Sequence, residues 1–113
     1  MAYYFIPPSK REGTCYYEFY AGTWDPKKME FWRDDSILIN ELDFNITGLE
    51  NLIAQTVPHY DPYAITPVTK QEWEIILQKA AEAGGELKLA VEEASSWVQE
   101  NFRHHDVFTI LGL

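Results

Sequence analysis

Cysteine is nearly absent: Cys15 is the only one in 113 residues, so neither an internal disulfide nor a thiolate metal cluster can form within the chain. Positive charge is scarce as well. Nine Lys and Arg stand against 18 Asp and Glu, a formal net charge of -9. That balance argues against nucleic acid, whose phosphates repel such a chain, and against anionic membrane surfaces. It suits a basic protein partner, or simply keeps the chain in solution. Glycine and proline are sparse at six each, while 46% of residues are hydrophobic and 15% aromatic, which excludes a disordered body. No long apolar run exists. The opening Met1 to Pro8 has no basic stretch, and its apolar part is too short for an export signal or a membrane span. A cytoplasmic location is therefore expected. Also missing are a glycine-rich phosphate loop, HExxH, GxSxG and a dinucleotide fingerprint.

The length suits one domain, 1–113, which can bury roughly 65% of its unfolded surface. Strand character dominates the first forty residues. Thr14 to Tyr20 is dense in aromatics and closes on Ala21-Gly22, and Tyr3 to Ile6 could pair with it. Lys28 to Trp32 and Ile37 to Ile39 read as two further strands. Cys15, within the first of these runs, is expected to be a packed thiol. After Asn40 the period changes: Leu42, Ile46, Leu49 and Ile53 step by four, three and four, as on one helical face. Asn40 is its expected N-cap. Val57 to Pro67 reads as a proline- and aromatic-rich loop.

Thr69-Lys70-Gln71-Glu72 is a capping box, with Val68 and Trp73 placed as a hydrophobic staple. Trp73, Ile76, Leu77 and Ala80 form the apolar stripe of that helix, and Gly84-Gly85 ends it. A further helix carries Leu87, Ala90, Val91, Ala94, Trp97 and Val98 on one stripe. The terminal Val107 to Leu111 is β-branched and aromatic and could return to the sheet. Strands first and helices later predict an α+β fold: a small antiparallel sheet from the N-terminal part with about three helices.

The histidines invite a catalytic reading, His59 with Asp61 in one loop and His104-His105-Asp106 near the end, as in a small hydrolase. A surface or helix-terminal role is preferred, because adjacent residues seldom converge on one substrate and cations suit a helix C-terminus. No third metal ligand accompanies them, so no metal and no cofactor is expected. Trp73 and Trp97 are assigned to the core, whereas Trp24 and Trp32, beside Asp25 and Asp34, are open to surface placement. From Asp34 to Thr69 there is no Lys or Arg, yet six acidic residues fall there. Rings among carboxylates are what protein interfaces use. Asp34, Asp35, Glu41, Asp43, Tyr60, Asp61 and Tyr63 are therefore the expected partner-binding region. The competing reading has the tyrosines capping the core beneath the loop.

Phe31 to Asn40, Asp43-Phe44-Asn45, Val57 to Tyr63, Ile65-Thr66 through Glu72-Trp73 and the terminal Phe108 to Gly112 resemble small bacterial immunity proteins. These belong to contact-dependent growth inhibition and related polymorphic toxin systems. The likeness runs from about Phe31 to the end, on soft patterns without a catalytic signature. It implies a cytoplasmic antitoxin, not an enzyme, that binds the basic C-terminal domain of a cognate toxin, often a nuclease. It assigns no partner contact to an individual residue. An adaptor or scaffold domain, or a hydrolase using His59 and Asp61, is the alternative.

Overall fold

The computed structural model describes residues 4–112. Strands β1 (Phe5–Ile6), β2 (Tyr16–Ala21) and β3 (Ile37–Asn40) lead into helices α1 (Glu41–Ile46) and α2 (Leu49–Thr56). Strand β4 (Ile65–Thr69), helices α3 (Lys70–Ala83) and α4 (Gly85–Phe102) and strand β5 (Val107–Leu111) follow. The five strands form one antiparallel sheet in the order β1-β3-β2-β5-β4, packed with four helices, an α+β fold. Among the described residues, no helix is long and apolar enough to cross a membrane.

Strand alternation divides the side chains between two faces. Phe5, Tyr17, Phe19, Ile39, Val68, Phe108 and Ile110 point toward the helices and share one core with Trp73, Ile76, Ala90, Val91, Ala94 and Val98. Phe108 sits at its centre, its ring 5.0 Å from Phe19, 5.7 Å from Trp73 and 5.8 Å from Trp97. The opposite face carries Glu18, Tyr20, Leu38, Thr109 and Leu111, all buried. The connection 22–36 covers it, and Trp24 packs there with Tyr20 and Leu111. Buried on both faces, β2 has no exposed polar alternation, which explains why aromatic residues flank its one charged residue, Glu18, on either side.

One buried charge holds that cover in place. Glu18 is only 1% exposed. Its carboxylate accepts from the Trp32 N–H (2.8 Å), the Arg33 N–H (3.0 Å) and the Ser36 hydroxyl. Trp32 adopts φ +57°, a left-handed backbone that turns successive amides toward one point, an anion-binding nest. The expected strand at Lys28 to Trp32 does not form for this reason. Residues 26–29 make a turn, Met29 also has positive φ, and Glu30 is held by Tyr20 and by the indole of Trp24.

Other expectations change as well. The single helical face after Asn40 is broken at Thr47-Gly48, where Gly48 takes φ +86° and starts α2 on a new axis. Consequently Phe44 is the buried residue of α1, while Leu42 and Ile46 are 63% and 60% exposed. Asn40 does cap α1, its side chain accepting from the Leu42 N–H at 2.8 Å. Cys15 precedes β2 and is exposed, not a packed thiol. Trp24 is buried, and Trp97 lies half-buried at the core's edge. The C-terminal run is an interior strand, and the loop before Pro67 gives way to β4 at Ile65. As the sheet's edge, β4 tolerates Pro67, which has no N–H to donate. The capping box at Thr69 and Glu72 forms in both directions. Tyr3, placed in the first strand by its sequence, lies outside the described residues.

Glu18→Ala strips the nest of its anion and leaves two amides and a hydroxyl without their acceptor. It is expected to lower the unfolding free energy by about 3–5 kcal/mol, and Glu18→Gln by less, as read by urea denaturation. Loss below 1 kcal/mol for the alanine variant would show that the loop is held by its ring contacts instead.

Candidate functional site

The sheet's register separates the expected partner-binding residues into two groups. Asp34 and Asp35 precede β3, whereas Glu41 and Asp43 follow it, with the strand's length of about 3.4 Å per residue between them. Tyr60, Asp61 and Tyr63 precede β4, whose first residue pairs with the last of β5. Because β3 and β4 enter the sheet from opposite ends, Glu41, Asp43, Tyr60, Asp61 and Tyr63 share one end of the molecule. Asp34 and Asp35 lie at the other. A single patch of all seven does not form. Asp35 is moreover committed locally: its carboxylate meets Arg33 at 2.9 Å and its carbonyl accepts from the Trp97 indole at 2.6 Å.

At the shared end, Glu50 of α2 is the organising residue. Its Oε2 accepts from the Tyr60 hydroxyl at 2.7 Å and the Tyr17 hydroxyl at 3.3 Å, tying the 57–64 loop, β2 and α2 together. Tyr17 packs in turn against Phe44 in a tilted arrangement, 4.5 Å between centroids. Sequence reasoning counted Glu50 in the acidic window but gave it no role. Its four-residue offset from Ile46 and three-residue offset from Ile53 placed it near the apolar stripe, the only available hint. Tyr60 is half-buried, so the reading in which this tyrosine caps the core describes it correctly. Tyr63, at 77% exposure, projects into solvent. Asp61 shapes the loop, its Oδ1 accepting from the Tyr63 N–H at 2.9 Å.

Glu41 is exposed and Asp43 half-buried in the first turn of α1, where carboxylates are favoured by the helix's positive end. Among the described residues neither carboxylate joins a hydrogen bond or an ion pair. Beside them, Leu42 and Ile46 lie one turn apart on an exposed stripe. Across about three strand spacings of 4.8 Å, Tyr63 and Ile65 add exposed apolar area at the β4 edge. Exposed apolar side chains flanked by carboxylates compose this end.

The histidines take surface and helix-terminal positions. His59 and Asp61 are both exposed, and no hydrogen bond or ion pair joins them among the described residues. His104 and His105 follow α4 and donate their backbone N–H groups to the Asn101 carbonyl, at 3.1 and 2.9 Å. The His104 ring lies 3.7 Å from Glu100. Among the described residues, no group of three or more His, Cys, Asp or Glu is arranged to hold a metal ion.

Burial, reinforced by the Glu50 charge, pushes the Tyr17 hydroxyl up to about 12. Burial and the hydrogen bond to Glu50 raise Tyr60 still further. An unfolded tyrosine ionises near 10, so the unfolded chain releases these protons first as the pH rises. The contribution of the pair is complete below about pH 10 and is lost as the pH climbs toward the folded values. Tyr60→Phe is expected to cost about 1 kcal/mol at neutral pH and to flatten the loss of stability above pH 10. Denaturation across a pH series reads both, and an unaltered alkaline slope would remove Tyr60 from the pair.

Comparison of the chain with protein-family models, with curated proteins and with solved structures yields no match.

Proposed function

We propose that this chain is a cytoplasmic immunity protein that binds and neutralises a basic bacterial toxin domain, such as a nuclease, and is not itself an enzyme. The observation that carries the reading is the end of the sheet where Glu41 and Asp43, without an ion pair among the described residues, stand beside exposed Leu42 and Ile46. A nuclease must present positive charge to its phosphate substrate, and an anionic surface of this kind competes for it. Leu42, Ile46 and Tyr63 supply area that can be desolvated, while the carboxylates speed encounter and set register. The absence of Lys and Arg from Asp34 to Thr69 leaves the segment that builds this end without internal neutralisation. The resemblance to immunity proteins of contact-dependent growth inhibition points to the same partner.

The contact region is narrowed to Glu41, Leu42, Asp43, Ile46, Asp61 and Tyr63. Glu50 and Tyr60 act beneath it by fixing the loop against α2, and Asp34 and Asp35 fall outside.

Co-expression with the polypeptide encoded immediately upstream is expected to rescue growth and to yield a complex on pull-down. Within that complex, Glu41→Lys with Asp43→Lys should weaken affinity at least about tenfold and reduce the salt dependence of association. Asp34→Lys with Asp35→Lys should leave affinity nearly unchanged. A toxin that keeps full activity with excess protein refutes the inhibitory role. The opposite ranking of the two double variants refutes the site alone.

A further inference from the structure

Trp73 has a position at odds with its chemistry. It is 2% exposed, and its indole N–H has no hydrogen-bond partner among the described residues. A buried donor left unmatched is costly, and native interiors contain few. The other core-edge indoles are matched: Trp24 donates to the Glu30 carbonyl and Trp97 to the Asp35 carbonyl, each at 2.6 Å.

Trp73 also lines a groove of about 310 Å³ between α3 and α4, at the opposite end of the molecule from Glu41 and Asp43. That volume lies in the range of small-molecule sites, which pair an apolar lining with a few polar groups. Half-buried Leu77 and Phe102 form its apolar walls, and Gln99 offers an amide. Lys70 and Arg103, both exposed, stand on the rim. Glu74 is the one acidic residue that lines the groove, and Arg103 is drawn only loosely to Glu100, at 3.8 Å. Lys70 and Arg103 thus place two cationic groups on the rim, with Glu74 and Glu100 as their acidic neighbours.

We infer that this groove is a binding site for a small carboxylic acid with an aromatic or aliphatic body. One carboxylate oxygen accepts the Trp73 indole N–H, and the charge is balanced by Lys70 and Arg103. The body lies against Leu77 and Phe102, whose side chains part to admit it. An acceptor is required by the orphan N–H, an anion by the two cations, and an apolar body by the walls. A cationic ligand with the same body, such as phenethylamine, meets only the last of the three conditions. The site is independent of the acidic end and of its proposed role.

Phenylacetate serves as the probe, titrated into the isotope-labelled full chain while the indole N–H resonances are followed. Phenethylamine and phenylacetamide are the controls. The Trp73 resonance is expected to move downfield with phenylacetate, hardly at all with the amine and weakly with the amide, while those of Trp24 and Trp97 stay in place. Lys70→Glu with Arg103→Glu should weaken phenylacetate binding at least about tenfold, since both charge-assisted contacts are lost. These two positions are exposed, so the variant tests the site even if Trp73→Phe does not fold. A Trp73 resonance that ignores phenylacetate overturns the inference. The neighbouring Phe108 ring, 5.7 Å away and nearly perpendicular, would then be the acceptor of the N–H. Equal responses to phenylacetate and phenethylamine, or an affinity unmoved by the charge reversals, overturn it too.

Discussion

A carboxylate buried between a sheet and a loop is the constraint on which this structure turns. Removing the Glu18 charge from water costs several kcal/mol, and only a complete set of donors offsets it. Two backbone amides and a serine hydroxyl supply them, which forces Trp32 into a left-handed conformation unusual for a large side chain. The consequence reaches well beyond the contact. With residues 30–36 held at Glu18, the 22–36 connection lies across the sheet's second face, and Leu38, Tyr20 and Leu111 are shielded from water. A sheet with helices on one side thus acquires a cover on the other without a further layer of regular structure.

The remaining polar groups of the interior act in the same way, as ties between elements. Asn101 near the end of α4 accepts from the Gly22 N–H and donates to the Val107 carbonyl, while Thr109 donates to the Gly22 carbonyl. The turn after β2, the last turn of α4 and the start of β5 are thereby locked together. His105 packs so closely over Gly22 that a Cβ there would come within 2.8 Å of its ring. At the opposite end Glu50 performs the equivalent task for the 57–64 loop. Both ends of the sheet are therefore fixed by buried or half-buried polar side chains, and each presents its own chemistry. One carries Glu41 and Asp43 beside exposed apolar side chains, the other a groove lined by Trp73, Leu77 and Phe102 with Lys70, Glu74 and Arg103 around it.

Much of this was legible in the residues. The capping box at Thr69 and Glu72, the cap at Asn40, the stripes of α3 and α4 and the aromatic strand at Tyr16 depend on interactions within a few positions of each other, so spacing alone reveals them. Errors fell where a distant partner or a single left-handed residue overrode the local period. Lys28 to Trp32 has strand-like composition, yet Glu18 takes the Trp32 and Arg33 amides out of any ladder. The stripe from Leu42 to Ile53 has a helical period, yet one left-handed glycine redirects the chain and exposes Leu42 and Ile46. The same break creates the exposed apolar pair on which the proposed interface rests. For the candidate site, the acidic window was visible in the sequence, but its division between two ends of the sheet was not.

Sequence by itself determined the α+β class, the caps of α1 and α3, the apolar stripes of α3 and α4 and the imbalance of charge, because each is set by composition or short-range spacing. Tertiary structure alone decided which carboxylates stand together, which tyrosine is sealed and which is free, and that Glu18 is buried at all. Those outcomes depend on strand order and register, which bring residues together across tens of positions. A charge far along the chain carries no local mark of the partner it will meet.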